Sequence, residues 1–517
     1  MRLLDPIAAS GARVAPAEPV RVPRPARPAW FAPELALTGA FIAMVYLIFF
    51  FGGPSALFRD ADAGWHIRAG ERMIALRALP HGDPFSFPKA GQAWITWEWG
   101  ADVLVGAAHL AAGLTGVAWL YAMAIAACVW MWFRLNWIAG GNFLLACLFA
   151  APMLSTTNLH WLARPHIFGW LFALGTIWFC EKREVRKPAM LFFLGALWAN
   201  VHGSFFLGPA IVLIYAAGAW FGSVLWGGAS RTAAGLLPGA AAMLAGTFIN
   251  PNGWNLHRHV FAYLSDSALL DRIGEFQSFN FHAAGATQIV LALLIGTAGG
   301  FAALTAHRFD RFLLAMLLTA AALRSARMLP LDALILLPLA NGSISTVLTN
   351  ASLAPRMRSA LDKILDYGLG LRALDRTLNG MALAPLAAVL LFGVIHALRP
   401  AFPADQFPVG ASNAVAALPA DARIFSSDKF GGYLIYRFEG NRKVFFDGRS
   451  DFYGADFLTR YSRMIQVRPG WQKEFASGKF THALLPPGYS LVPALEALGW
   501  TELYRDRTAL LLQGPEP

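Results

Sequence analysis

Arg59-Asp60-Ala61-Asp62-Ala63-Gly64-Trp65-His66-Ile67-Arg68 follows the first long apolar run of the chain, and its reading governs the rest. Two carboxylates two residues apart point the same way only on an extended or turning backbone. There they can share a metal ion, or one can serve as general base while the other orients it. The structural alternative is that Asp62 caps a following helix whose apolar stripe is Trp65, Ala69, Met73 and Leu76. Capping accounts for one aspartate but not for both.

The stretch sits in an unusually apolar chain. Of 517 residues, 56% are hydrophobic and 14% charged, against about 45–50% and about 25% in soluble proteins. A soluble enzyme, a disordered scaffold and a coiled coil are excluded. A membrane-spanning helix takes roughly 20 apolar residues. Eleven runs suit it: 35–51, 115–133, 141–158, 165–180, 187–201, 204–226, 231–249, 286–306, 309–323, 328–347 and 381–398. The chain therefore reads as an α-helical multi-pass membrane protein of about eleven spans.

Charge sets the expected orientation. The net charge is +11, but the basic residues fall in short clusters between apolar runs, as the positive-inside bias requires, and nucleic-acid binding is not expected. Residues 1–30, with six prolines and five arginines, read as a basic cytoplasmic tail. With the N-terminus inside, Glu181–Lys187, Arg308/Arg311 and the five basic residues of 356–376 also fall inside. The charge-balanced loop 53–98 and the segment 401–517 fall outside. Residues 97–112 carry Glu98, Asp102 and His109; a full span there would invert every later loop, so they read as interfacial or partly inserted. The three cysteines, Cys128, Cys147 and Cys180, offer neither a disulfide framework nor a zinc site.

The domain plan is then a tail (1–30), a transmembrane module (31–400) and an extracytoplasmic α/β domain (401–517). In the last, Arg423–Ser427, Lys443–Phe446 and His482–Leu485 read as strands and Trp500–Gln513 as a closing hairpin, which favours a parallel or mixed sheet. Gly431-Gly432-Tyr433 reads as a helix start. Phe446-Asp447-Gly448-Arg449-Ser450-Asp451 is either an acceptor-binding strand end or an internal Arg–Asp pair fixing a turn.

The external loop continues through His81-Gly82-Asp83-Pro84-Phe85-Ser86, a turn sequence, to Trp94, Trp97, Glu98 and Trp99. Its aromatic rings either stack on a sugar or form an interfacial belt. Asp60-x-Asp62-x-x-Trp65-His66, His81-x-Asp83-Pro84-Phe85-Ser86 and Trp97-Glu98-Trp99 resemble motifs of the GT-C superfamily of membrane glycosyltransferases, in particular a group of bacterial members. The superfamily includes protein O-mannosyltransferases, lipid A aminoarabinose transferases and the catalytic subunit of oligosaccharyltransferase. The resemblance covers the architecture of about residues 30–400, while its motif is confined to the external loop. It implies a GT-C-like fold and sugar transfer from a polyprenyl-phosphate donor to a glycan or lipid acceptor, at the outer face of a bacterial inner membrane. Asp60 and Asp62 match the superfamily's acidic pair, a base or a ligand for Mg²⁺ or Mn²⁺. His66, His81, Trp97 and Glu98 would contact substrate. The tryptophan-aspartate signature of oligosaccharyltransferase has no counterpart in the C-terminal segment, which argues against peptide acceptors.

On the expected outer side stand Arg164 and His166, then His202, then Arg324 and Arg327. Arginine there runs against the charge bias, and a guanidinium fork matches phosphate oxygens. These five are the candidate donor-phosphate ligands; the plain alternative is snorkelling to lipid headgroups. His257, Arg258 and His259 make a weak metal site, and Asp266, Asp271 and Glu275 favour a solvated surface. The expected mechanism is inverting: an aspartate takes the acceptor's proton and polyprenyl phosphate leaves. The rivals are a non-enzymatic transporter or flippase of an envelope lipid, and a degenerate relative that organises an envelope-assembly complex.

Overall fold

The computed structural model describes residues 32–182, 187–227 and 231–515. The basic tail and residues 183–186 of the Glu181–Lys187 loop lie outside the described residues. The described chain begins with α1 (Leu35–Phe49), passes through the loop expected to be external, which holds α2 (Asp62–Leu76), and enters the long α3 (Trp99–Ile138). There follow α4 (Phe143–Thr157), α5 (His166–Glu181), α6 (Pro188–Val201), α7 (Leu207–Trp226) and α8 (Arg231–Gly246). A connecting segment carries α9 (Trp254–Ser265) and α10 (Ser267–Leu270) before α11 (Ala286–Thr305), α12 (Phe309–Arg324) and α13 (Leu329–Asn350). Polar α14 (Pro355–Asp375) then leads to α15 (Ala384–Leu398).

Every one of the apolar runs is helical. Among the described residues, six helical stretches are long and apolar enough to cross a membrane: Trp99–Ile138, Phe143–His160, Gly203–Trp226, Ala286–Thr305, Ala326–Asn350 and Gly380–Leu398. Four others, Leu35–Phe49, His166–Glu181, Pro188–Val201 and Ala233–Gly246, are apolar but shorter. Many large side chains of this bundle point outward, among them Phe41, Leu148, Phe193 and Val389. That arrangement is costly in water and natural in lipid.

The two ends of the bundle differ chemically. At one end Glu181 pairs with Arg308 at 2.9 Å and Arg311 at 2.6 Å, Arg372 donates to the carbonyls of Trp137 and Gly141, and Asp375 accepts from Trp137 and the Leu35 amide. Glu181, Arg308, Arg311 and Arg372 thus share one end. The acidic motif, Arg164, His202 and Arg327 gather at the other.

Helix α3 is kinked by non-helical residues Ala112 and Gly113, the latter at φ 59°. The arm before the kink, the stretch read as interfacial, lies along α2. Gly70 and Gly106 allow backbone contact there, since a Cβ on either would strike the other helix's backbone. Its polar groups are used locally: Asp102 meets His66 at 2.6 Å and His109 meets Glu71 at 2.5 Å.

Beyond residue 400 come α16 (Ser412–Ala416), β1 (Ile424–Ser426), α17 (Asp428–Arg437), α18 (Ser450–Tyr453), α19 (Ala455–Ile465) and α20 (Trp471–Ser477). The chain ends with β2 (His482–Leu485), α21 (Leu491–Glu496), β3 (Thr501–Arg505) and β4 (Leu510–Gln513). The sheet order is β1-β2-β4-β3, with β1 and β2 parallel and the other pairs antiparallel, so the sheet is mixed and the closing hairpin forms as expected. Two expectations are corrected. Lys443–Phe446 is not a strand of this sheet: Val444 exchanges backbone hydrogen bonds, both 3.0 Å, with Phe85 and Phe87 of the external loop. Gly431-Gly432 does not start a helix but lies inside α17, where the missing side chains bring its backbone against Phe446 and Ala61.

Candidate active site

The turn before α2 and the loop before α5 build the centre. Ala61 is the N-cap residue of α2, and the Asp62 backbone N–H donates to Asp60 Oδ1 at 2.8 Å. Asp60 therefore satisfies the helix start, and the expected capping by Asp62 does not occur because Asp62 is already the first helical residue. Leu76, assigned to the apolar stripe, is exposed, whereas Trp65, Ala69 and Met73 are buried. Trp65 Nε1 donates to Asp62 Oδ1 at 3.2 Å.

Arg164 joins the two aspartates. Its Nη1 lies 2.9 Å from Asp60 Oδ2 and 2.7 Å from Glu275 Oε1, and its Nη2 lies 3.0 Å from Asp62 Oδ2. Arg327 approaches the other Glu275 oxygen at 3.6 Å. Burial pushes the Asp62 carboxyl up to about 7, with Arg164 opposing and Asp60 and Glu275 adding to the rise. Burial also acts to raise Glu275, but Arg164 and Arg327 outweigh it and hold that carboxyl far below the usual range.

Asp60 and Asp62 face a cleft of about 1430 Å³ between the external loop and the C-terminal segment. Its far wall carries Lys429, Ser450, Tyr461, Arg463 and Tyr489. Gly448 closes directly over Asp62, where any Cβ would collide with the carboxylate.

A second, mostly apolar cavity of about 270 Å³ is lined by Glu275, which binds the same Arg164 that holds Asp60 and Asp62. Trp97, Glu98, His166, His202 and Arg327 line it together with aliphatic and aromatic side chains. Burial pushes Glu98 up to about 7, with His66 opposing and Asp102 adding. His202 Nε2 stands 3.4 Å from Glu98 Oε1, and His66 Nε2 stands 3.9 Å from Oε2. Burial brings His66 down to about 3 against the pull of Glu98, so it is neutral at ordinary pH. His66 is bonded to Asp102 and stacked on Trp65, with ring centroids 3.6 Å apart, which leaves it a supporting place in the network.

Of the residues singled out in the sequence, Asp60 and Asp62 line the cleft, and Trp97, Glu98, His166, His202 and Arg327 line the apolar cavity. Arg164 lines neither but binds Asp60, Asp62 and Glu275 between them. His81 and Arg324 are exposed and line neither cavity. Glu275 was read as solvated surface, yet it is clamped between two arginines. Nothing in its local sequence separates it from Asp266, which instead caps α10 through the Leu269 amide at 3.0 Å. His257 bonds Thr247 at 2.8 Å and His259 bonds Asp451 at 3.0 Å, so neither is paired for a metal. Asp447 and Arg449 do form the internal pair: Arg449 Nη2 reaches Asp447 and Asp83, each at 2.8 Å.

The acidic pair does not fit a divalent cation as it stands. All four of its carboxylate oxygens accept from the chain itself: two from Arg164, one from Trp65 and one from the Asp62 amide. Among the described residues, no group of three or more His, Cys, Asp or Glu is arranged to hold a metal.

The chain is similar to the Archaeoglobus fulgidus oligosaccharyltransferase in its apo form, with a TM-score of 0.51 and 13% identity over 87% of this chain and 69% of that one. It is also similar to ArnT from Cupriavidus metallidurans in the apo state, with a TM-score of 0.36 and 13% identity over 93% of this chain and 98% of that one. At these identities the likeness is one of fold. By sequence, no family model and no curated protein matches.

Proposed function

We propose that the protein is a bacterial inner-membrane glycosyltransferase that moves a sugar from a polyprenyl-phosphate donor to an envelope lipid or glycan at the outer face. The observation that carries this reading is the meeting of Arg164 with Asp60 and Asp62, which line a large cleft, beside an apolar cavity lined by Arg327. The acceptor hydroxyl enters from the cleft and gives its proton to Asp62, whose raised pKa suits a base working near neutrality. Its oxygen bonds to the anomeric carbon as the bond from that carbon to the phosphate oxygen breaks, and the configuration inverts. Polyprenyl phosphate leaves with the electron pair, and Arg327, held only loosely by Glu275, meets its charge. The prenyl chain lies among the apolar side chains of the smaller cavity and the lipid around it.

The test uses full-length protein in lipid nanodiscs, with a synthetic polyprenyl-phosphate sugar and labelled transfer as readout. Asp62→Asn lowers the rate by about 10²–10⁴-fold, the usual worth of a positioned base, while melting and donor binding persist. Retained transfer by the double variant Asp60→Asn/Asp62→Asn removes the mechanism. Lipid translocation by the purified protein without transfer favours a transporter instead.

A further inference from the structure

We propose that Arg164 is the resident cation of the acidic pair, its guanidinium filling the position a divalent metal would otherwise take. The inference concerns how the proposed active site is charged, and its readout is bound metal rather than transfer. It can therefore fail while the glycosyltransferase reading stands, and the reverse.

Three carboxylates from two distant parts of the chain, Asp60 and Asp62 from one and Glu275 from the other, converge on this one guanidinium at 2.7–3.0 Å. A guanidinium keeps its charge at every working pH, so the positive centre is permanent. A divalent ion would compete for the same oxygens and meet a fixed positive charge at hydrogen-bond distance. The two aspartate oxygens that point away from Arg164 are taken by the Asp62 amide and by Trp65.

The arginine is also built into place rather than reaching in from a flexible arm. The Ala163 amide donates to the Leu57 carbonyl at 2.8 Å, tying this loop to the segment just before the acidic motif. Pro165 is the N-cap residue of α5 immediately after it. Asp60 and Asp62 are thus held at fixed separation by a fork that is part of the chain. Arg164 is a positioning residue: it orders and neutralises the carboxylates and leaves their cleft-facing side to the acceptor.

Manganese titrated into full-length protein in nanodiscs, followed by electron paramagnetic resonance, tests the assignment. Wild type is expected to leave the manganese free. Arg164→Gln, which empties the centre of three carboxylates, is expected to gain one bound ion per chain, and Asp62→Asn in that background to lose it. Arg164→Ala serves as the second variant should the first not fold. Stoichiometric manganese binding by wild type that Asp62→Asn abolishes would overturn the proposal. So would a folded Arg164 variant that gains no ion.

Discussion

The raised pKa of Asp62 bears on both rate and stability. In the proposed mechanism this carboxyl acts as a base only when ionised, so kcat/KM should climb as pH rises through about 7. Arg164→Gln removes the main cation opposing the rise and should move that limb to higher pH. Stability runs the other way. A carboxyl raised in the fold binds its proton more tightly there than in the unfolded chain. Its contribution is complete below the ordinary carboxylate range and fades as pH climbs through about 7. Melting of Asp62→Asn should therefore depend less on pH between about 4 and about 7 than melting of wild type. Glu98, also raised to about 7, acts in the same direction, and His66, brought down to about 3, acts in the opposite one. Much of this scale was legible in the sequence, because a charge beside an apolar run announces itself. Glu275 was not, since its partners come from segments far away in the chain and only the fold brings them to it.

At the scale of elements, α2 and α17 press backbone to backbone. A Cβ on Gly64 would collide with the Gly432 carbonyl, and one on Gly432 with the Ala61 carbonyl. Gly432→Ala should therefore cost about 1–3 kcal/mol as an overpacked contact. It should also slow transfer, because Ala61 is flanked by the two aspartates; a melting curve and a rate measurement on one preparation check both effects. The helices themselves followed from apolar periodicity. Their contacts did not: a glycine pair in α17 reads locally as a break, and becomes a packing face only once another helix lies across it. The same limit explains Lys443–Phe446, an apolar run whose pairing partner is a loop rather than the sheet.

For the molecule as a whole, the segment beyond residue 400 is no detached module. Phe402, Phe407, Phe430 and Tyr433 share one apolar core with Leu57 and Phe58 of the external loop region. The same junction buries Arg449 between Asp83 and Asp447, with the arginine 2% exposed. Arg449→Met would leave both carboxylates buried without their cation, a loss of about 3–5 kcal/mol for a broken buried pair. Limited proteolysis should then cut the C-terminal segment at protease concentrations that leave wild type whole. The apolar and β-branched runs of this segment announced a small sheet, which is mixed. They could not show that it docks, because docking rests on contacts between distant stretches of chain.

That junction has a bearing on how the protein is made. The lid over Asp62 is Gly448, chain synthesised long after every apolar helix has emerged. A nascent chain that ends before Gly448 leaves Asp62 uncovered on that side of the cleft. That side of the cleft is complete only once the final segment has folded onto the loop.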